Sequence, residues 1–214
     1  MDEEVTIIDS NTRNEKIKNF FINNKKNFII TISTIIIIII GYFSFDEYKQ
    51  RNKTKLVNQF NNTIIDFKIN KKNQTIKNLI SIIKKQDNTY SPLALYFLID
   101  NDLIDNKNKI NELFDVLIEK TNLEKEIKNL IIYKKGLYNS DLVNENELIQ
   151  ILNPIINSDS IWKSHSLYLM GEYFYSKKEK QKAKEFFNQI LSLPIGNNDI
   201  KLKSQKRINR DFSE

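Results

Sequence analysis

The segment that decides the fold runs from Ser164 to Pro194 and reads SHSLYLMGEYFYSKKEKQKAKEFFNQILSLP. Apolar side chains recur at helical spacing in both halves, with Leu167, Met170 and Phe174 in the first and Phe187 in the second. A period of 3.6 residues places such side chains on one face of each helix. Small residues stand at Gly171 and Ala183, where the two helices of one hairpin must approach closely. The pattern predicts a tightly packed helical hairpin.

Working outward, the same periodicity predicts helices over 74–86, 92–104, 108–121, 124–139, 144–156, 159–176 and 178–192, and no stretch reads as a strand. Ser91-Pro92 suits a first helical turn, because proline's fixed φ and missing N–H are tolerated there. Pro154 and Pro194 are read as helix ends. Only four Gly and three Pro occur in 214 residues, which disfavours turn-dense β-architectures and glycine-rich phosphate loops. The expected class is all-α, with helices joined by polar links and paired at near-regular spacing into an α-solenoid of hairpins.

Nearer the N-terminus, Asn27 to Phe45 (NFIITISTIIIIIIGYFSF) carries no charge and is flanked by Lys25-Lys26 and Asp46-Glu47. At about 1.5 Å per residue it matches a hydrocarbon core of ~30 Å. In water the run Ile35 to Ile40 would be prone to β-aggregation. In lipid the backbone must bond to itself, which imposes a helix, and Tyr42, Phe43 and Phe45 fall where interfacial aromatics belong. One transmembrane helix is therefore expected, continuing through Leu56, Phe60, Ile64 and Phe67 into a stalk. GYFSFDEY offers no small-x-small site for a signal peptidase. The expected organisation is an arm over 1–26, the membrane helix over 27–45, a helical stalk over 46–90, repeats over 91–195 and a basic C-terminal tail over 196–214. In the arm, Thr12 and Glu15 have the spacing of a capping box ahead of Ile17, Phe20 and Phe21. Basic residues flank the membrane segment almost evenly, so the small size of the arm decides the orientation: N-terminus inside, C-terminal domain outside.

Laid on the tetratricopeptide pattern, Leu167, Met170, Gly171 and Phe174 fill first-helix positions, and Ala183 and Phe187 fill the second. Pro194 falls one residue ahead of the closing proline. Ala94, Leu95 and Leu98 with Leu113, Phe114 and Leu117 form a looser pair, and Ile131, Lys135, Gly136, Leu137 and Leu148 another. With the arm TRNEKIKNFFINNKK, the exit GYFSFDEYKQ and the SPLALYFL helix, this order resembles the bacterial family of ancillary Sec translocon subunits, the YfgM-like tetratricopeptide proteins, and alphaproteobacterial relatives. The resemblance implies an inner-membrane anchor, a repeat domain in the periplasm, and contacts with a SecYEG-type translocon and periplasmic chaperones.

Signs of catalysis are few. The chain has no cysteine and one histidine, His165, so Cys-His, thiolate-metal and multi-histidine sites cannot be built. His165 is expected at the edge of a packed face with a hydrogen-bond partner. Asp100, Asp102 and Asp105 lack the glycine and ligand spacing of an EF-hand loop and read as a solvated turn. No catalytic, cofactor or metal residues are expected, and no enzyme. The net charge of +6 is carried beyond residue 26, with basic and acidic groups interspersed except from Lys201 to Arg210, so nucleic acid is an unlikely partner. Trp162, Tyr168, Tyr173 and Tyr175 are the candidate partner-binding residues, because such side chains join an apolar body to a polar tip. The expected function is protein binding at a membrane. The alternatives are an adaptor of another cell-envelope complex and a cytoplasm-facing basic domain that binds nucleic acid or lipid.

Overall fold

The computed structural model describes residues 2–68 and 71–212, and Met1, Ile69, Asn70, Ser213 and Glu214 lie outside it. Among the described residues there are α-helices and no strand, as the helical periodicity and the scarcity of glycine and proline require. The chain divides into two compact units, Met1–Lys55 and Leu56–Glu214.

The first unit contains α1 (Asp2–Asn23) and the start of α2 (Lys25–Lys68). The expected helix start at Thr12 is not found, because α1 already runs through it. DEEVTIIDSN contains neither Gly nor Pro, so nothing interrupts the backbone bonds before Thr12, whose side chain lies outside the described residues. α2 continues unbroken for 44 residues. It holds one stretch long and apolar enough to cross a membrane. Every isoleucine from Ile29 to Ile40 is exposed. Two threonine hydroxyls inside this block donate to the preceding turn, Thr31 Oγ1 to the Asn27 carbonyl at 2.9 Å and Thr34 Oγ1 to that of Ile30 at 2.8 Å. Both are thereby satisfied without water, the condition a hydrocarbon environment imposes.

The second unit is a succession of helices built onto the end of α2: α3 (Lys72–Lys84), α4 (Tyr90–Asp100), α5 (Lys107–Asp115), α6 (Lys125–Asn139), α7 (Glu145–Ile156), α8 (Lys163–Ser176), α9 (Lys180–Ser192) and α10 (Asn198–Asp211). A π-helical turn, Val116–Lys120, prolongs α5. Neighbours in sequence pack together, and α8 also touches α6 and α10. The core has two parts. Leu79, Ile82, Leu95, Leu98 and Phe114 anchor the first, against Leu56 of α2. Leu152, Leu167, Met170, Phe174 and Phe187 anchor the second.

Polar side chains set the boundaries. Asn106, Asn144 and Asn197 cap α5, α7 and α10, and Asn144 forms a reciprocal capping box with Glu147. α4 stops at Asp100 and not at 104, because Asn101 Nδ2 bonds the Phe97 carbonyl and the chain reverses through Asp102, burying Leu103. α8 begins at Lys163 and not at 159, because Ser160 Oγ donates to Glu126 and accepts the Trp162 N–H. Pro154 marks the end of α7, which stops two residues later at Ile156. It sits in the last turn of α7, where it removes one donor while Asn157 N–H still reaches the Asn153 carbonyl at 3.1 Å. Over its described part the basic segment 196–214 forms α10, which packs on α8 and α9 and buries Ile200 and Ser204.

Helix reversals that glycine usually supplies fall here to Gln86, Asp102 and Lys178, at φ of 57°, 45° and 65°. A side chain in this left-handed region costs about 1 kcal/mol. At Lys178 the backbone closes α8 with Glu179 N–H on the Phe174 carbonyl at 2.9 Å, the bonding that favours glycine. Lys178→Gly is expected to raise stability by about 0.5–1 kcal/mol, measured by denaturant unfolding of the detergent-solubilised chain followed by circular dichroism. An unchanged or lowered midpoint would contradict this account.

Candidate interaction surface

The α8–α9 hairpin is held by a close approach. A Cβ added at Gly171 would lie 2.6 Å from Phe187 Cε1, and one at Gly136 would lie 2.5 Å from Leu152 Cδ2. Absence of a side chain thus brings α8 onto α9 and, one hairpin earlier, α6 onto α7. Leu167, Met170, Phe174, Ala183 and Phe187 are buried in this seam, whereas Pro194 is exposed just after α9.

The aromatic residues separate. Tyr173 does not lie on the surface: it is 7 % exposed, and its hydroxyl donates to the Val143 carbonyl at 3.2 Å. It therefore leaves the partner-binding set, because its position on α8 faces the start of α7. Trp162, Tyr168 and Tyr175 are half-buried. Trp162 Nε1 donates to the Glu126 carbonyl at 3.1 Å, and the indole stacks on Tyr133 with centroids 5.9 Å apart. Glu126 also accepts from Ser160 Oγ at 2.7 Å and from Ile161 N–H at 3.2 Å. Trp162 is thus part of the joint between α6 and α8.

Tyr168 and Tyr175 point towards α10. Tyr168 tilts against Phe187 at 5.5 Å, and burial, with Glu172 beside the hydroxyl, pushes its pKa up to about 12. Arg207 of α10 lies 4.3 Å above the Tyr175 ring. Its guanidinium grips Glu172 in a bidentate pair, with Nε on Oε1 at 2.8 Å and Nη2 on Oε2, while Nη1 bonds Asp211 at 2.9 Å. Such a fork fixes orientation as well as charge. The Glu172 hydrogen bond raises the Arg207 pKa further, so this group stays charged.

His165 lies between Tyr133 and Trp162, at ring distances of 5.8 and 5.2 Å. Its Nδ1 is buried without a hydrogen bond of ordinary geometry. Burial first, and the Lys203 charge second, lower its pKa below 6.5, with the Ile161 backbone opposing in part. Asp102 occupies the reversal after α4, and among the described residues no group of three His, Cys, Asp or Glu side chains could hold a metal ion.

Three clefts escaped the sequence reading. One, of about 470 Å³, lies between the turn before α8 and the segment after α9, beside Ser160 and Pro194. Another, of about 690 Å³, opens between α8 and α10 beside Tyr168 and Glu172, with Lys203, Lys206 and Arg210 on its α10 side. The third, of about 240 Å³, lies between α4 and α6, where Lys134 stands 5.9 Å from the Tyr96 ring. Helical spacing alone marks Lys203, Lys206 and Arg210 as one face of α10, but it does not say what that face meets. No family model, no curated protein and no solved structure matches the chain.

Gly171→Ala is expected to lower stability by about 1–3 kcal/mol, because the added methyl meets a buried ring that cannot swing aside. Shrinking that ring in the Gly171→Ala/Phe187→Leu double variant should recover part of the loss, as denaturant midpoints will tell. Because the folded chain holds His165 with a pKa below its unfolded value, the unfolded chain takes up the proton first. Stability should therefore fall as pH drops below about 6.5, the unfolded value, and this pH dependence should shrink in His165→Gln. Equal slopes in the two proteins would remove His165 as the cause.

Proposed function

We propose that this chain is a membrane-anchored, tetratricopeptide-like protein-binding module without catalytic activity. The supporting observation is the series of helical hairpins α3–α4, α6–α7 and α8–α9, with α6 packed on α8 and α8 on α10. Stacked hairpins of this kind offer an extended surface to a polypeptide. The apolar block of α2 is the anchor. With the small arm inside, the module lies on the periplasmic side of a bacterial inner membrane.

Of the partners such a module could hold, the Sec translocon and the chaperones that receive exported chains are the ones this proposal names. The resemblance of the arm, membrane exit and final hairpin to the ancillary translocon family supports that choice.

The test begins with topology. The chain should remain in the membrane pellet after an alkaline wash, and a C-terminal alkaline phosphatase fusion should be active. Crosslinking followed by affinity capture in mild detergent should then recover translocon components. Recovery of a different envelope complex would keep the module and discard the translocon. A washed-off chain with an intact N-terminus would remove the anchor.

A further inference from the structure

We infer that the groove between α8 and α10 receives an acidic, extended polypeptide segment. The inference rests on the proposed protein-binding role and names the chemistry of its partner.

The groove is set apart by unbalanced charge. Its α10 side carries Lys203, Lys206, Arg207 and Arg210, and Glu172 is the carboxylate on its α8 side. Glu172 is engaged by Arg207, and Asp211 accepts from both Arg207 and Arg210. Lys203 and Lys206 are exposed and make no ion pair among the described residues. Two ammonium groups therefore face the opening without carboxylates of their own. The field of Lys203 extends to His165, whose proton affinity it lowers.

Spacing suits an extended chain. Lys203, Lys206 and Arg210 follow one another at i, i+3 and i+7, so they form a stripe along one face of α10. From Lys203 to Arg210 the helix rises about 10 Å at 1.5 Å per residue. An extended peptide covers that distance in about three residues. Acidic side chains on alternate positions thus meet successive cations. Arg207 is already immobilised by Glu172, Asp211 and the Tyr175 face, so the wall is ordered before a partner arrives.

The same geometry disfavours the other anions. Nucleic acid binding to a groove gains from stacking bases on free ring faces. Here the Tyr168 ring packs on Phe187, and Arg207 covers that of Tyr175. A bilayer surface meets protruding cations, whereas these line a concavity that headgroups in a plane do not enter.

The test uses the full chain in nonionic detergent and a fluorescent ten-residue peptide with glutamate at alternate positions, its glutamine counterpart serving as control. The glutamate peptide is expected to bind, and its affinity to fall as salt rises. Lys203→Glu/Lys206→Glu should weaken binding at least about tenfold, with Lys203→Gln/Lys206→Gln intermediate. The exposed pair Lys177→Glu/Lys180→Glu should leave it unchanged. Circular dichroism melting checks that each variant is folded.

Equal binding of the glutamine peptide, or indifference to charge at 203 and 206, would overturn the proposal. So would displacement of the peptide by a uridine oligonucleotide or by phosphatidylglycerol in mixed micelles at lower concentration than by unlabelled peptide. If the charge-reversed chain still captures its protein partner, the groove assignment fails while the binding module stands. Loss of capture by the unaltered chain would fail the module itself.

Discussion

Phe187 can lie against α8 because residue 171 carries no side chain, and most of the second unit's C-terminal half follows from that approach. With the ring seated over Gly171, Met170 and Phe174 are drawn into the same core, and Tyr168 tilts against the ring. Gly136 repeats the device against Leu152 in the preceding hairpin. Packed interiors have little room to yield, so these contacts fix how near the two helices of each hairpin stand. They also fix where the outward tyrosines end up.

Polar ties then join one hairpin to the next. Asn111 and Asn139 exchange amide hydrogen bonds between α5 and α6 at 2.9 and 2.7 Å, and Lys135 reaches Asp115 at 2.6 Å. Glu126 gathers Ser160 and Ile161, and Arg207 clamps α10 through Glu172. Asn139 is almost fully buried, so its satisfied amide matters more than an exposed ion pair would. The hairpin seam and the last two of these ties converge on α8 and the turn before it. That helix therefore carries the candidate surface, and α10 supplies its charge.

The first unit obeys a different constraint. A helix bearing exposed isoleucines through Ile40 leaves that apolar surface uncovered, and its Thr31 and Thr34 hydroxyls turn back onto its backbone. Water is a poor solvent for such a surface and lipid a good one. The break between α1 and α2 at Asn24 falls just before the uncharged block. There Phe20 and Phe21 lie against Phe28 at 5.9 and 4.9 Å.

The sequence by itself determined the helical class, the long apolar helix and the final hairpin, because 3.6-residue periodicity, charge-free length and paired small residues are local properties of the chain. It misjudged the helix start at Thr12 and the extent of α4 and α8. Those outcomes depend on uninterrupted backbone bonds in one case and on Asn101 and Ser160 in others. Tertiary structure alone decided that Tyr173 is interior, that His165 Nδ1 is buried without a hydrogen bond of ordinary geometry, and that α10 faces Tyr168 across a groove. A residue's place on its own helix is written in its spacing, but which neighbour that face meets is set by how several helices fill space together.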